Sequence, residues 1–592
     1  MVLTAKSPLR RRLVRWLASP RLPLYAALVS VLLCAPSLGI GFQLDDWFQR
    51  NILLGEFPVP VSPFGMFSTA LDATDGAAVG VFPWWVTPDF KLAFLRPVSV
   101  LTHLADYALW PNSPVLMHLH SLLWLGAGVW VAGGFYRRLL GVGWAAGLAA
   151  LFFALDDSHG LPAGWIANRN ALVAFLFGLL AVLAHDRWRR EGWRLGAWAA
   201  PVLLGLGLFA GETAVGAVAF LGAYALFFDE AGARRGLLAL LPCAVAGLVW
   251  AAVYHLGDYG AVGSGMYVEP LGAPGEFLRA LFERVPILTL GLWTPLAADF
   301  AGIAPPEAQP VLWGLGVAVL IFAVGLFGPL VRRDRLARFF AAGTLFALVP
   351  ASATQASNRL LLFVGLAAFG LLARWLQGRS EAAAWLPTGS LWRRTAGAAA
   401  VGAFATHLVL APPSLVLHSL AAKTLGAPTL AATEDLPADA ALPNQTLVFI
   451  NTPDYLMFVA YLQPYRQAER KPVPRALRAL SQGPTPVELV RLDDQTLRID
   501  VPAGLYGGQL GGLFRGPRQP FRVGEEVTVP GMTVTIDAVD DRGVPQRATY
   551  RFTVPLEDPS LRWVAWQGGR FVAITPPAAG EVLRLEPAVL KF

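Results

Sequence analysis

The sequence predicts a polytopic α-helical membrane protein with an extracytoplasmic domain at its C-terminal end, and three observations carry that prediction. Of 592 residues, 55% are hydrophobic and only 15% charged, against roughly 25% charged in soluble domains. Long apolar runs alternate with short arginine clusters, as in chains of many spanning helices. From Pro412 the composition shifts, and farther on apolar and polar residues alternate between turn signals, as in strands exposed to water on one face.

Lys6, Arg10, Arg11, Arg12, Arg15 and Arg21 precede an apolar run that reaches about Ile40. The run is long and lacks a small-x-small cleavage site, so it reads as an uncleaved first helix with its N-terminus in the cytoplasm. Residues 42–112 form a long outer loop. A helix over 115–135 returns to Arg137 and Arg138, one over 143–155 leads out to Asp156, and one over 171–184 goes in at Arg187, Arg189 and Arg190. Two further helices meet outside at Gly211-Glu212-Thr213; the second ends before Arg234 and Arg235, and a helix over 236–254 leads out again. Residues 276–300 are apolar enough to span. However, the next helix, 311–330, ends at Arg332, Arg333 and Arg335, so both ends of 276–300 face outside. Pro286 and Pro295 interrupt the segment, and it reads as interfacial or re-entrant. The chain exits near Pro350, re-enters through 360–372, turns at Arg374, Arg379, Arg393 and Arg394, and leaves through 395–410. The total is about eleven spans, with a membrane domain at 1–411 and an extracytoplasmic domain at 412–592. In the latter, TLVFIN at 446–451 reads as a buried strand and 454–462 as a helix. The domain is β-rich from about residue 486, with turns at Pro530-Gly531 and Arg542-Gly543.

Composition also excludes functions. The net charge of +7 lies mainly in short loops between apolar runs, so orientation in the membrane explains it and nucleic-acid binding is excluded. Cys34 and Cys243 both sit inside apolar runs and form neither a disulfide framework nor a cysteine zinc site. Asp493, Asp494, Asp537, Asp540 and Asp541 suggest a bound cation or, more simply, turns of a β domain, which commonly use aspartate.

Ionisable groups near membrane helices need a reason, and here they gather on the outer side. The set comprises Asp45, Asp46, Arg96, His103, Asp106, His118, Asp156, Asp157, His159, Arg169, Glu212 and Arg359. Asp45 and Asp46 repel each other unless one is protonated or a cation bridges them. Such a carboxylate either takes the proton of an attacking hydroxyl or holds a divalent ion against a leaving phosphate; the alternative is a polar helix boundary. Glu212 is an acceptor for a sugar hydroxyl or a metal ligand, or else a turn residue. Asp46 and Glu212 are the candidate metal ligands, and a divalent metal ion is the one candidate cofactor. Arg169 and Arg359 open helices, where guanidinium and backbone N–H groups together suit phosphate; snorkelling to lipid headgroups is the alternative. His103, His118 and His120 lack metal-pair spacing and read as hydrogen-bonding residues. His159, beside two aspartates, suits phosphate or a metal.

Leu44-Asp45-Asp46, then Arg96-Pro97-Val98-Ser99 leading to Leu104-Ala105-Asp106-Tyr107, resembles the C-type (GT-C) membrane glycosyltransferases, above all the protein O-mannosyltransferase-like branch. Trp165-Ile166 with Arg169, Glu212, and Ser357-Asn358-Arg359 extend the likeness over roughly the first 375 residues. Three positions depart from that pattern: Asp156-Asp157-Ser158-His159 stands for a His-Pro-x-His run, Gly211 for a lysine, and Leu360 to Leu362 for tyrosines. The resemblance implies a GT-C-like fold in the inner membrane and transfer of a sugar from a polyprenyl-phosphate donor, with inversion. The acceptor is a glycan, lipid or protein on the outer face, and membrane lipids surround the bundle. Asp45, Asp46 and Glu212 are the implied catalytic carboxylates, with Asp45 or Asp46 as the base, and Arg96, Asp106, Asp157, His159, Arg169 and Arg359 lie around the substrate. Two other readings stand beside it: a transporter or flippase of a lipid-linked substrate, which calls for mid-membrane charges and related halves, and a non-catalytic platform whose extracytoplasmic domain binds a partner.

Overall fold

The computed structural model describes residues 8–69, 71–383, 385–507 and 510–589; Lys6 lies outside them. The chain forms two compact units, both discontinuous in sequence. One comprises the residues up to Gly41, Leu95–Asp258 and Glu269–Ala422; the other comprises Phe42–Phe94, Tyr259–Val268 and the residues from Lys423 onward. The expected division at 411/412 is therefore replaced by one in which most of the outer loop 42–112 belongs with the C-terminal residues.

The first unit is helical. Among the described residues five helices are long and apolar enough to cross a membrane: Leu22–Gly39, Pro114–Leu140, Ile166–Glu191, Gln309–Val331 and Ser390–Glu434. A sixth results if Ala233–Ala239 and Leu241–Leu256, bent by 48°, are one span; Pro242 opens the second half and accounts for the bend. These helices make the chain a membrane protein. The count of about eleven is not confirmed: Trp144–Leu155, Gly196–Leu208 and Glu212–Phe227 are apolar but short. Ten residues of Trp144–Leu155 are buried, and a helix enclosed by other helices does not need bilayer length.

Two expectations need correction. The proline at 286 does not break its segment: it sits inside the helix Pro274–Trp293. Lacking an N–H, it leaves the Phe282 carbonyl four residues back without its helical donor. The Trp313 indole supplies one instead, at 2.9 Å, from a neighbouring helix that approaches closely. A Cβ at Gly316 would stand 2.3 Å from the Pro286 oxygen. Nor does the last helix end at 410. Helical structure runs from Ser390 to Glu434, passing through a π-helical stretch at Ala405–Leu410 just before Pro412 and Pro413, two successive residues that cannot donate to an α-helical ladder.

Polar contacts gather the helix termini of this unit at two ends. At one end Arg138 pairs with Asp186 and Glu191, Arg189 with Asp229 at 2.7 Å, and Arg374 with Asp334 at 2.6 Å. Arg335 donates there to the carbonyls of Phe227 and Asp229. The helices Ile166–Glu191, Glu212–Phe227 and Leu362–Ser380 each begin at the other end, where Arg169, Glu212 and Asn358 stand.

In the second unit β1 (Lys91–Ala93) pairs with β2 (Gly260–Val262). The strand predicted at 446–451 is β3 (Thr446–Thr452). It lies parallel both to β4 (Ala476–Gln482) and to β10 (Leu561–Gln567), whose other edge carries β11 (Arg570–Ala573). The other sheet is antiparallel, in the order β12-β5-β6-β9-β8-β7. Its strands are β5 (Val487–Arg491), β6 (Thr496–Asp500), β7 (Glu526–Val529), β8 (Met532–Val539), β9 (Pro545–Phe552) and β12 (Val582–Leu585). The predicted turns carry Gly531 and Gly543 at φ +85° and +75°, a region in which glycine has no Cβ to clash.

Two buried arginines explain why residues 42–94 join this unit. Arg478 donates to the carbonyls of Ala77, Ala78 and Pro530, and Arg515 to those of Trp85 and Val86 and of Gln519. Gly80 (φ +87°) follows the helix Ala73–Val79, and a Cβ there would stand 2.3 Å from the Leu477 oxygen. Backbone therefore lies directly on backbone at this point.

Candidate functional site

The helix Pro97–Leu109 organises the polar end of the first unit. Proline at its first position suits a helix start, and its opening turn is tied down on one side. Val98 N–H donates to the Phe209 carbonyl at 3.0 Å, and the Ser99 hydroxyl donates to that of Ala210 at 2.7 Å. Arg96, just ahead of the helix, grips Glu212 Oε2 through Nε at 2.8 Å and Nη2 at 2.7 Å. The Arg96 side chain is 18% exposed and that of Glu212 31%, so this pair remains reachable. Glu212 Oε1 is itself buried and has no hydrogen-bond partner among the described residues.

Farther along the same helix stands Asp106, fully buried and paired at 2.5 Å with an equally buried Arg169. Arg169 also donates to the Ser121 hydroxyl at 2.9 Å and the Met117 carbonyl at 2.7 Å. A charge of this kind is retained only when paired and hydrogen-bonded, and both conditions are met. His120 completes the cluster. The Trp124 indole can only donate, and it reaches His120 Nε2 at 3.0 Å. The proton therefore sits on Nδ1 and is given to Asp106 Oδ1 at 2.7 Å. With no exposure, Asp106 and Arg169 hold three helices in register.

Asp157 anchors a second cluster. It accepts from Asn358 Nδ2 at 2.9 Å and from the Ser414 hydroxyl at 2.8 Å, and His418 stands 3.4 Å away. Asn358 in turn is fixed by Asp299 through its backbone N–H at 2.8 Å. Arg359, next in sequence, is half-buried and has no ion-pair or hydrogen-bond partner among the described residues. The His159 ring turns to Phe153 and not to the aspartate carboxylates: its Nε2 donates to the Phe153 carbonyl at 2.5 Å and its ring meets that of Phe153 edge-on. His118 donates to the Gly41 carbonyl at 3.0 Å. Sequence reasoning missed Asp299, Ser414 and His418, and noted Asn358 only as part of the motif around Arg359. The spacing of Ser414 and His418, four apart on a helix, was the available signal for those two.

Asp45 and Asp46 belong to the second unit. They occupy the first turn of the helix Asp45–Leu53, where the backbone N–H groups and helix dipole favour negative charge. Asp46 is buried and accepts from Gln43 N–H at 2.9 Å; Asp45 accepts from the Tyr461 hydroxyl at 2.5 Å. Burial and then the Asp45 charge push the Tyr461 phenol well above its ordinary value. The preceding Leu44 has φ +53° and ψ −121°, a strained conformation for a branched residue. Nearby Asp454 is pushed up to about 6 by burial and caps the turn that follows by accepting from Met457 N–H. Among the described residues no three His, Cys, Asp or Glu side chains are grouped to hold a metal ion.

No family model matches the chain, and no relative among curated proteins matches it. Among solved structures it is similar to the crystal structure of the Archaeoglobus fulgidus oligosaccharyltransferase tethered by a disulfide bond to an acceptor peptide containing the NVT sequon. The identity is 13% and the TM-score 0.40, over 78% of this chain and 64% of that one. The chain thus spans less than two thirds of that protein, and a superposition at this level carries no argument about activity.

Proposed function

We propose that the chain is a membrane glycosyltransferase-like protein of GT-C type, moving a sugar from a polyprenyl-phosphate carrier to a hydroxyl-bearing acceptor outside the inner membrane. The observation that carries this reading is the Arg96–Glu212 pair: a partly exposed carboxylate held by a guanidinium through one oxygen. An acceptor hydroxyl hydrogen-bonded to this carboxylate attacks the anomeric carbon, its proton passes to the carboxylate, and the bond to the carrier phosphate breaks with inversion. Arg359, half-buried and unpaired among the described residues, suits the phosphate that leaves. Asp45, held by Tyr461, is the second candidate base, and a divalent ion at Asp46 or Glu212 is the candidate cofactor. On this reading the polar end with Glu212 faces outward and the arginine-rich end faces the cytoplasm.

The test is to replace Glu212 or Arg96 by alanine in the host and to measure surface glycans at matched protein levels. Loss of a glycan is the expected result; unchanged glycans remove the reading. A flippase would instead carry the lipid-linked sugar across with its phosphate bond intact, which chromatography of the lipid pool distinguishes.

A further inference from the structure

At the arginine-rich end of the first unit, two turns are joined by one side chain. Arg335, at the start of the helix Arg335–Ala351, donates to the carbonyls of Phe227 and Asp229 at the end of the helix Val215–Phe227. Every carboxylate in these two turns is already answered by an arginine from another helix. Asp229 is paired with Arg189, Glu230 with Arg190, and Asp334 with Arg374. What the accounting leaves over is Arg234 and Arg235 in the helix Ala233–Ala239 after one turn, and Arg332 and Arg333 on the other turn with Arg338 in the helix after it, all exposed and without an acidic partner among the described residues. With the nearby acids neutralised, these exposed like charges on two joined turns and the helices that follow them form a cationic face that favours an anionic ligand.

We infer that these five arginines form a docking surface for the anionic headgroups of membrane phospholipids. Charge complementarity is one argument. The adjoining apolar surface is the other: Leu237, Leu238 and Leu241 follow Arg234 and Arg235 directly and are 48%, 56% and 59% exposed. A guanidinium cluster binds the phosphate, and leucines one or two turns on meet the acyl chains. A soluble anion would use the first feature and not the second, which favours a lipid over free phosphate. The surface lies away from Arg96 and Glu212 and does not depend on any transfer activity.

The experiment uses the full-length protein in neutral detergent, titrated separately with phosphatidylglycerol, phosphatidylcholine and inorganic phosphate, with binding read by native mass spectrometry and by the thermal midpoint. Phosphatidylglycerol is expected to bind and to raise the midpoint, in a salt-sensitive way, while the other two do neither. Changing all five arginines to glutamine should weaken phosphatidylglycerol binding about tenfold or more. The milder R332Q/R333Q variant should weaken it in part, which keeps the test open if the fivefold variant does not fold. R518Q/R522Q, which removes two arginines of the second unit, should leave it unchanged. An equal response to phosphatidylcholine or to inorganic phosphate overturns the inference. So does an equal loss in R518Q/R522Q, or undiminished binding in the arginine variants.

Discussion

Arg169 illustrates how far a single residue can be read from sequence. Its position at a helix start makes it a phosphate candidate, yet its guanidinium is buried against Asp106, Ser121 and the Met117 carbonyl. Nothing in a linear pattern reveals that two candidates of opposite charge, 63 residues apart, answer each other. Removing one partner strands the other, so Arg169→Met should cost about 3–5 kcal/mol. The expected result is loss of monodisperse protein on size-exclusion chromatography, rather than folded protein with altered turnover. Asp454 yields a prediction of pH dependence. Its folded-state value, about 6, lies above its ordinary 3.8, so the native state binds the extra proton and stability falls as pH rises through that window. Asp454→Asn should therefore raise the thermal midpoint at pH 7.5, by up to about 3 kcal/mol of stability, and the gain should vanish below pH 4.

At the scale of elements, the longest apolar spans and the strand at 446–451 were legible, because burial imposes composition and periodicity locally. What was not legible depended on partners distant in the chain. β10 lies parallel to β3 across more than a hundred residues, and the helix through Pro286 continues because Trp313 of another helix serves the orphaned carbonyl. The residues 73–90 read as part of an outer loop, yet Arg478 and Arg515 fasten them to strands and turns of the second unit. Arg515→Met would leave the Trp85 and Val86 carbonyls without these donors and forfeit the ring contact with Phe521 at 3.7 Å. A cost of about 3 kcal/mol is expected, seen as faster limited proteolysis within residues 70–95 while the helical spans stay intact. Cleavage at the wild-type rate would show that the staple is dispensable.

For the whole molecule, the account requires that the first unit present two chemically different ends. Single cysteines at Thr213 and at Arg235 should then be labelled from opposite faces of the membrane, Thr213→Cys by an impermeant thiol reagent in intact cells and Arg235→Cys only after permeabilisation. Cys34 and Cys243 are buried and should give little background. Labelling of both from one side would refute the two-ended arrangement. Legibility at this scale was mixed: arginine clusters foretold which turns share an end, while the interleaving of the two units was invisible because no composition change marks residues 42–94. The most direct measurement of the central claim is made on purified full-length protein supplied with polyprenyl-phosphate-linked sugars and a hydroxyl-bearing acceptor, following release of polyprenyl phosphate. The account predicts release by the wild type and its loss, by a factor of about 100 or more, in a folded Glu212→Gln variant. Equal release by both proteins would contradict it.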